Sequence, residues 1–98
     1  MEDNPPSIPT SEEKQTVYCY ILECNDGTYY TGWTVDVNRR IKKHQSGNGA
    51  KYTRQRRPVR LVYVEEQPSR PDAMRRERQL KRLKRERKVV LIEKFRAG

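Results

Sequence analysis

The sequence predicts a small α+β domain: a three-stranded mixed or antiparallel sheet flanked by about three helices, in the order β-β-α-β-α-α. Three observations carry this. Short runs rich in apolar and β-branched residues fall at Thr16 to Glu23 and Val59 to Glu66, Asn25-Asp26-Gly27 follows the first as a turn, and apolar residues recur at helical spacing from Val37 and from Ala73. A chain of 98 residues has room for one thin core. Residues 1–15 hold three prolines, no aromatic residue and Glu2, Asp3, Glu12 and Glu13 against Lys14, so they read as a disordered acidic tail before a domain at 16–98.

In the first strand apolar groups occupy both alternating sets, Val17, Cys19, Ile21 and Tyr18, Tyr20, Leu22, as suits an inner strand covered on both faces. Asn25-Asp26-Gly27 fits a three-residue hairpin loop. That loop sets Cys24 opposite Thr28, Leu22 opposite Tyr30 and Tyr20 opposite Gly32, leaving both tyrosines on one face with open space beside Tyr20. A two-residue turn would split them between faces. Thr34 or Asp36 caps a helix running to about Gln45 and stopped by Ser46-Gly47. Val37 and Ile41 form its buried stripe, Arg40 and His44 border it, and Arg39, Lys42 and Lys43 point to water.

A glycine-containing loop follows, in which Lys51, Arg54, Arg56 and Arg57 surround Tyr52. Together with Lys42 these are the candidate nucleic-acid contacts, cations for phosphates and an aromatic for bases. The third strand, Val59 to Glu66, is expected at the sheet centre because it too is apolar on both sides. Ser69 with Asp72 and Pro71 opens a second helix. Its core face is expected to hold Ala73, Met74, Leu80 and Leu83, with Glu77 in the middle, where a carboxylate needs a partner, a metal or a function. Arg40 or Arg76 would be the partner in a purely structural ion pair. A break near Leu83 to Arg85 lets Val89, Leu91, Ile92 and Phe95 fold back, the alternative being one continuous helix.

The net charge is +9, and the first fourteen residues hide part of it: the other 84 carry 21 basic against 9 acidic side chains, a net +12. That balance seeks phosphate. No apolar run of membrane-spanning length, signal-peptide core or lipidation motif is present, so the expected setting is cytoplasmic, nucleoid-associated if bacterial, with no membrane partner. Cys19 and Cys24 form no zinc motif and point to opposite strand faces, so both are expected to be reduced and packed.

Taken in order, these residues resemble the GIY-YIG endonuclease superfamily. Cys19-Tyr20-Ile21 stands at the first signature, Tyr30-Thr31-Gly32 at the second, Arg40 at the helix arginine and Glu77 at the metal glutamate, over roughly residues 16–95. The stand-alone, single-domain bacterial-type branch is closest in pattern, through Arg39-Arg40, His44, Gly49-Ala50-Lys51-Tyr52-Thr53-Arg54 and Arg57-Pro58. Tyr18 and Cys19 replace the glycine and isoleucine of the first signature, but the Tyr20 hydroxyl is kept. Trp33 follows the second signature where smaller residues are usual, which narrows the expected site.

The resemblance implies metal-dependent phosphodiester hydrolysis, with nucleic acid as partner: branched or single-stranded DNA, RNA remaining an alternative. Such chemistry needs an in-line water, a clamp on the phosphoryl oxygens and a stabilised leaving oxygen. Glu77 would hold one Mg²⁺, or Mn²⁺ in its place, with no small-molecule cofactor. Arg40 would clamp the phosphate, and Tyr20 would serve as general base or orient the water, with Tyr30 beside it. That role needs a cation, either the metal, Arg40 or Lys42, to lower the phenol's pKa. His44 would be a reserve base or phosphate contact. Two other classes compete: a nucleic-acid-binding module without useful catalysis, and an interaction protein whose basic helices dock an acidic partner. A recruiting protein is also left open.

Overall fold

The computed structural model describes residues 16–98; the expected acidic tail lies outside them. Strands β1 (Val17–Glu23) and β2 (Tyr29–Thr34) form a hairpin, followed by helix α1 (Val37–Ser46), a single helical turn α2 (Lys51–Arg54), strand β3 (Arg60–Gln67) and helices α3 (Arg70–Arg82) and α4 (Arg85–Ala97). The sheet is wholly antiparallel, in the order β2-β1-β3.

Local chemistry explains each junction. In the hairpin, the Gly27 amide donates to the Cys24 carbonyl at 2.9 Å, and Gly27 takes φ +83°, open to glycine without strain. Tyr20 then pairs with Gly32 and Leu22 with Tyr30, the register the three-residue loop dictates. Asp36, rather than Thr34, caps α1, accepting from the Arg39 amide at 3.0 Å. At its other end Gly47, at φ +89°, lets its own amide and that of Asn48 donate back to His44 and Lys43. Ser69 caps α3 through the Asp72 amide and donates its hydroxyl to the Asp72 carboxylate. Leu83 and Lys84 are extended, and the half-buried Leu83 anchors the break between α3 and α4.

Alternation sorts the core into two layers. Val17 and Cys19 pack with Ala73 and Leu80 of α3, and Ile21 with Val62 and Ile92 of α4. On the opposite face Tyr20, Leu22 and Cys24 pack with Val59, Tyr30 and Ile41. Both cysteines are free and buried, and the Cys19 thiol donates to the Ala73 carbonyl at 3.2 Å.

Three expectations need correction. β3 is an edge strand, and β1 is central. Val62 serves one layer and Val64 the other, so apolar residues on both alternations report coverage by helices rather than a central place. The basic stretch after α1, expected as a loop, contains the single helical turn α2. Met74 is 43% exposed, because Ala73, Glu77 and Leu80 occupy the inward stripe of α3.

Candidate active site

Tyr20 rises from the central strand and crosses Gly32 of β2. A Cβ on Gly32 would lie 2.6 Å from the Tyr20 hydroxyl, so only glycine lets the phenol sit there. Beside it opens a cleft of about 330 Å³ lined by Tyr20, Tyr30, Gly32, Arg40, Arg70 and Glu77, with Trp33 on its wall. The hairpin supplies the tyrosines, α1 supplies Arg40, and α3 supplies Arg70 and Glu77. Five residues predicted as a site therefore divide into four that line one cleft and His44, which sits behind Tyr20.

His44 is fully buried, which removes it as a direct phosphate contact. Its Nε2 lies 3.0 Å from the Tyr20 hydroxyl, and its Nδ1 lies 2.7 Å from Thr53 Oγ1. The Tyr30 ring meets the imidazole edge-on at 5.1 Å between centroids. Burial holds the imidazole pKa below its usual value, and nearby Arg40 lowers it further, so His44 is neutral at pH 7.

The two phenols shift the other way. Burial, reinforced by Tyr30, pushes Tyr20 far above the usual phenol range, and the pull of Arg40 does not offset it. Burial and then Glu77 raise Tyr30 as well, against Arg40. The expectation that a neighbouring side-chain cation lowers the Tyr20 pKa is thus reversed by desolvation. Lys42 is exposed and takes no part in these shifts.

Glu77 makes neither structural pair considered for it. Arg76 instead grips Glu65, with Nε at 2.6 Å and a second nitrogen at 3.2 Å, while among the described residues Glu77 has only Lys81 at 3.8 Å on its own helix. The Glu77 side chain is 20% exposed. Among the described residues no three of His, Cys, Asp and Glu gather as a metal cage. One cleft-lining carboxylate suits a hydrated hard dication that keeps most of its waters, and does not suit zinc.

The basic candidates separate by what their cations already do. Arg57 donates to the Arg54 and Gln45 carbonyls, and Arg56 to Asp26 and the Tyr52 carbonyl. Tyr52 is stacked on Tyr30 at 6.1 Å, with the Arg56 guanidinium 3.8 Å from its ring centroid. Lys42, Lys51 and Arg54 are exposed, without a side-chain ion pair among the described residues. Sequence reasoning gave no role to Thr53 or Arg70. A fully buried threonine nine residues after His44 leaves no periodic trace, and an arginine in the first turn of a helix reads as solvated.

Residues 16–89 match the GIY-YIG catalytic domain. This chain belongs to the GIY-YIG family. It is 55% identical over 76 residues to a UPF0213 protein of Streptococcus sanguinis, covering 78% of this chain and 87% of that one. It is 59% identical over 75 residues to the UPF0213 protein BH0048 of Halalkalibacterium halodurans, covering 76% and 80%. Two solution NMR structures share the fold. That of BH0048, given there as from Bacillus halodurans, has a TM-score of 0.51 at 56% identity over 80% of this chain and 83% of that one. That of EF2693 from E. faecalis has a TM-score of 0.58 at 36% identity over 88% and 92%. The UPF0213 proteins, of which this chain covers four-fifths or more in the two relatives named, are a stand-alone GIY-YIG family. Membership carries the coarse chemistry: a GIY-YIG domain is an endonuclease domain, a hydrolase whose substrate is nucleic acid.

Proposed function

We propose that this protein is a metal-dependent DNA endonuclease acting on branched or single-stranded DNA. One observation carries the reading. A phenol backed by a buried neutral imidazole, an arginine and a carboxylate, drawn from three separate segments, converge on one polar cleft. Its volume of about 330 Å³ suits a nucleotide-sized group, and a strand already free of its complement enters without the cost of unpairing.

Arg40 holds the scissile phosphate through its planar fork of donors. Tyr20 orients the attacking water and accepts its proton at Oη, while the phenol's own proton passes to His44 Nε2, 3.0 Å away. This sequence avoids a free phenolate, which the raised pKa of Tyr20 disfavours. Tyr30 packs against both partners and keeps bulk water from them. Glu77 would hold Mg²⁺, or Mn²⁺ in its place, and the bound dication would neutralise charge developing on the phosphoryl and leaving oxygens. Exposed Lys42, Lys51 and Arg54 hold flanking phosphates.

The test is cleavage of labelled duplex, flap, branched and single-stranded DNA, and of RNA, with Mg²⁺, Mn²⁺ or EDTA, for wild type and Glu77→Ala. Metal-dependent cutting of open DNA, abolished in the variant while binding persists, is expected. Tight salt-sensitive binding by folded wild type with no cutting would replace this reading with that of a binding module.

A further inference from the structure

Of the two ring nitrogens of His44, only Nε2 faces Tyr20, and a transfer from the phenol needs that nitrogen bare. We infer that Thr53 is the positioning residue that keeps it so, by fixing the ring proton on Nδ1. This rests on the reading of Tyr20 and His44 as a proton-transfer pair.

The argument is one of donor accounting. Thr53 Oγ1 lies 3.1 Å from the Ala50 carbonyl, which can only accept, so the hydrogen bond between them takes the single hydroxyl hydrogen. What Thr53 presents to His44 Nδ1, at 2.7 Å, is therefore a lone pair. Nδ1 must carry the hydrogen, and Nε2 is left as the acceptor for the Tyr20 hydroxyl at 3.0 Å. The order Tyr20 O–H to His44 Nε2, His44 Nδ1–H to Thr53, Thr53 O–H to Ala50 satisfies every member, and the carbonyl at its end sets the direction. His44 and Thr53 are both fully buried, so water does not compete for these bonds.

The fold around Thr53 serves this contact. The turn α2 aims Thr53 inward while Lys51, Tyr52 and Arg54 of the same turn are exposed. The Ala50 carbonyl also accepts the Arg54 amide at 3.0 Å, which fixes the acceptor at the chain's end. Gly49 passes so close to the imidazole that a Cβ there would stand 2.5 Å from Nδ1. With no Cβ at that position, the backbone leaves room for the imidazole to meet Thr53 through Nδ1.

His44 is the only histidine, so long-range ¹H–¹⁵N correlation on the whole ¹⁵N-labelled protein reports its tautomer without ambiguity. Wild type should carry the proton on Nδ1. Thr53→Val, equal in shape but unable to accept, should lose that single tautomer and let the proton distribute over both nitrogens. Its turnover should fall by about 10- to 100-fold, by analogy with the loss seen when the partner orienting a metal-bound imidazole is removed, with KM unchanged because Thr53 touches no substrate. Thr53→Ser should restore both. A wild-type ring protonated on Nε2 would overturn the inference, even were Thr53→Val unable to fold, as would a folded Thr53→Val with wild-type tautomer and turnover. Absence of cutting by any form would sink the nuclease reading, while the tautomer would still decide the role of Thr53.

Discussion

Replacing Gly32 with alanine puts a methyl group where the Tyr20 phenol lies. The new Cβ would stand 2.6 Å from the hydroxyl, 2.8 Å from Cζ and 3.2 Å from Cε2. Ordinary contact begins at 3.4 Å, so the hydroxyl must retreat by roughly 0.8 Å, within a core packed too tightly to absorb it freely. Overpacking of this kind costs about 1–3 kcal/mol. The same retreat displaces the 3.0 Å bond to His44 and places the methyl beside the cleft. A misplacement near 1 Å at a reacting group lowers turnover by about 100-fold. The assay pairs metal-dependent cleavage with thermal melting, and Gly27→Ala is the control. Gly27 sits at φ +83° with nothing within 4 Å of an added Cβ, so that variant should lose roughly 1 kcal/mol to backbone strain alone and keep its turnover. A Gly32→Ala protein that cuts at the wild-type rate would refute the argument, as would a Gly27→Ala protein that fails equally at matched stability.

The single histidine also makes stability depend on pH in a readable way. The folded-state pKa of His44 is depressed below the unfolded value of 6.5, so the folded form binds fewer protons. Stability should be full above about pH 6.5 and fall as pH drops from there through the lowered folded value, before the carboxylates titrate. Urea unfolding at pH 7.5, 6.5 and 5.5 measures it: a flat profile would show that His44 is solvated in the fold, and stability that rose as pH fell would show that it is held charged. For DNA binding, Lys51→Ala or Arg54→Ala should each reduce the slope of log K against log salt by about one. Arg57→Ala, whose guanidinium is committed to two backbone carbonyls, should instead lower the melting temperature with a smaller change in slope.

How far the sequence could be read depended on the range of the forces involved. Asn25-Asp26-Gly27 fixes a register within one hairpin, and that register alone puts Tyr20 over Gly32. Asp36, Gly47 and Ser69 are similarly local, since each cap bonds to an amide or carbonyl within one turn. What escaped prediction was settled by contacts between distant segments. The ring of His44 is claimed by Tyr20, 24 residues before it, and by Thr53, which sits on a turn too short to leave a helical pattern. Glu77 read correctly as a misfit on an apolar stripe, but its freedom from Arg76 depends on Glu65, a residue of β3 that takes both donors of that arginine's fork.

The placement of Glu65 and Gly32 together explains how a core this thin keeps a charged cleft open. α3 packs on the Cys19 side of the sheet and α1 on the Tyr20 side, so Glu77 and Arg40 can share a cleft only around the β2 edge. Gly32, on that edge strand, has no side chain to fill the gap, and Glu65 holds Arg76, the adjacent cation on α3, away from Glu77. The phenol, by contrast, is only 2% exposed, and its burial works against its ionisation. Burial is useful there only if the proton can move without a free phenolate forming. The neutral imidazole behind Tyr20 meets that requirement, and the same desolvation that raises the phenol's pKa keeps the imidazole uncharged and able to accept.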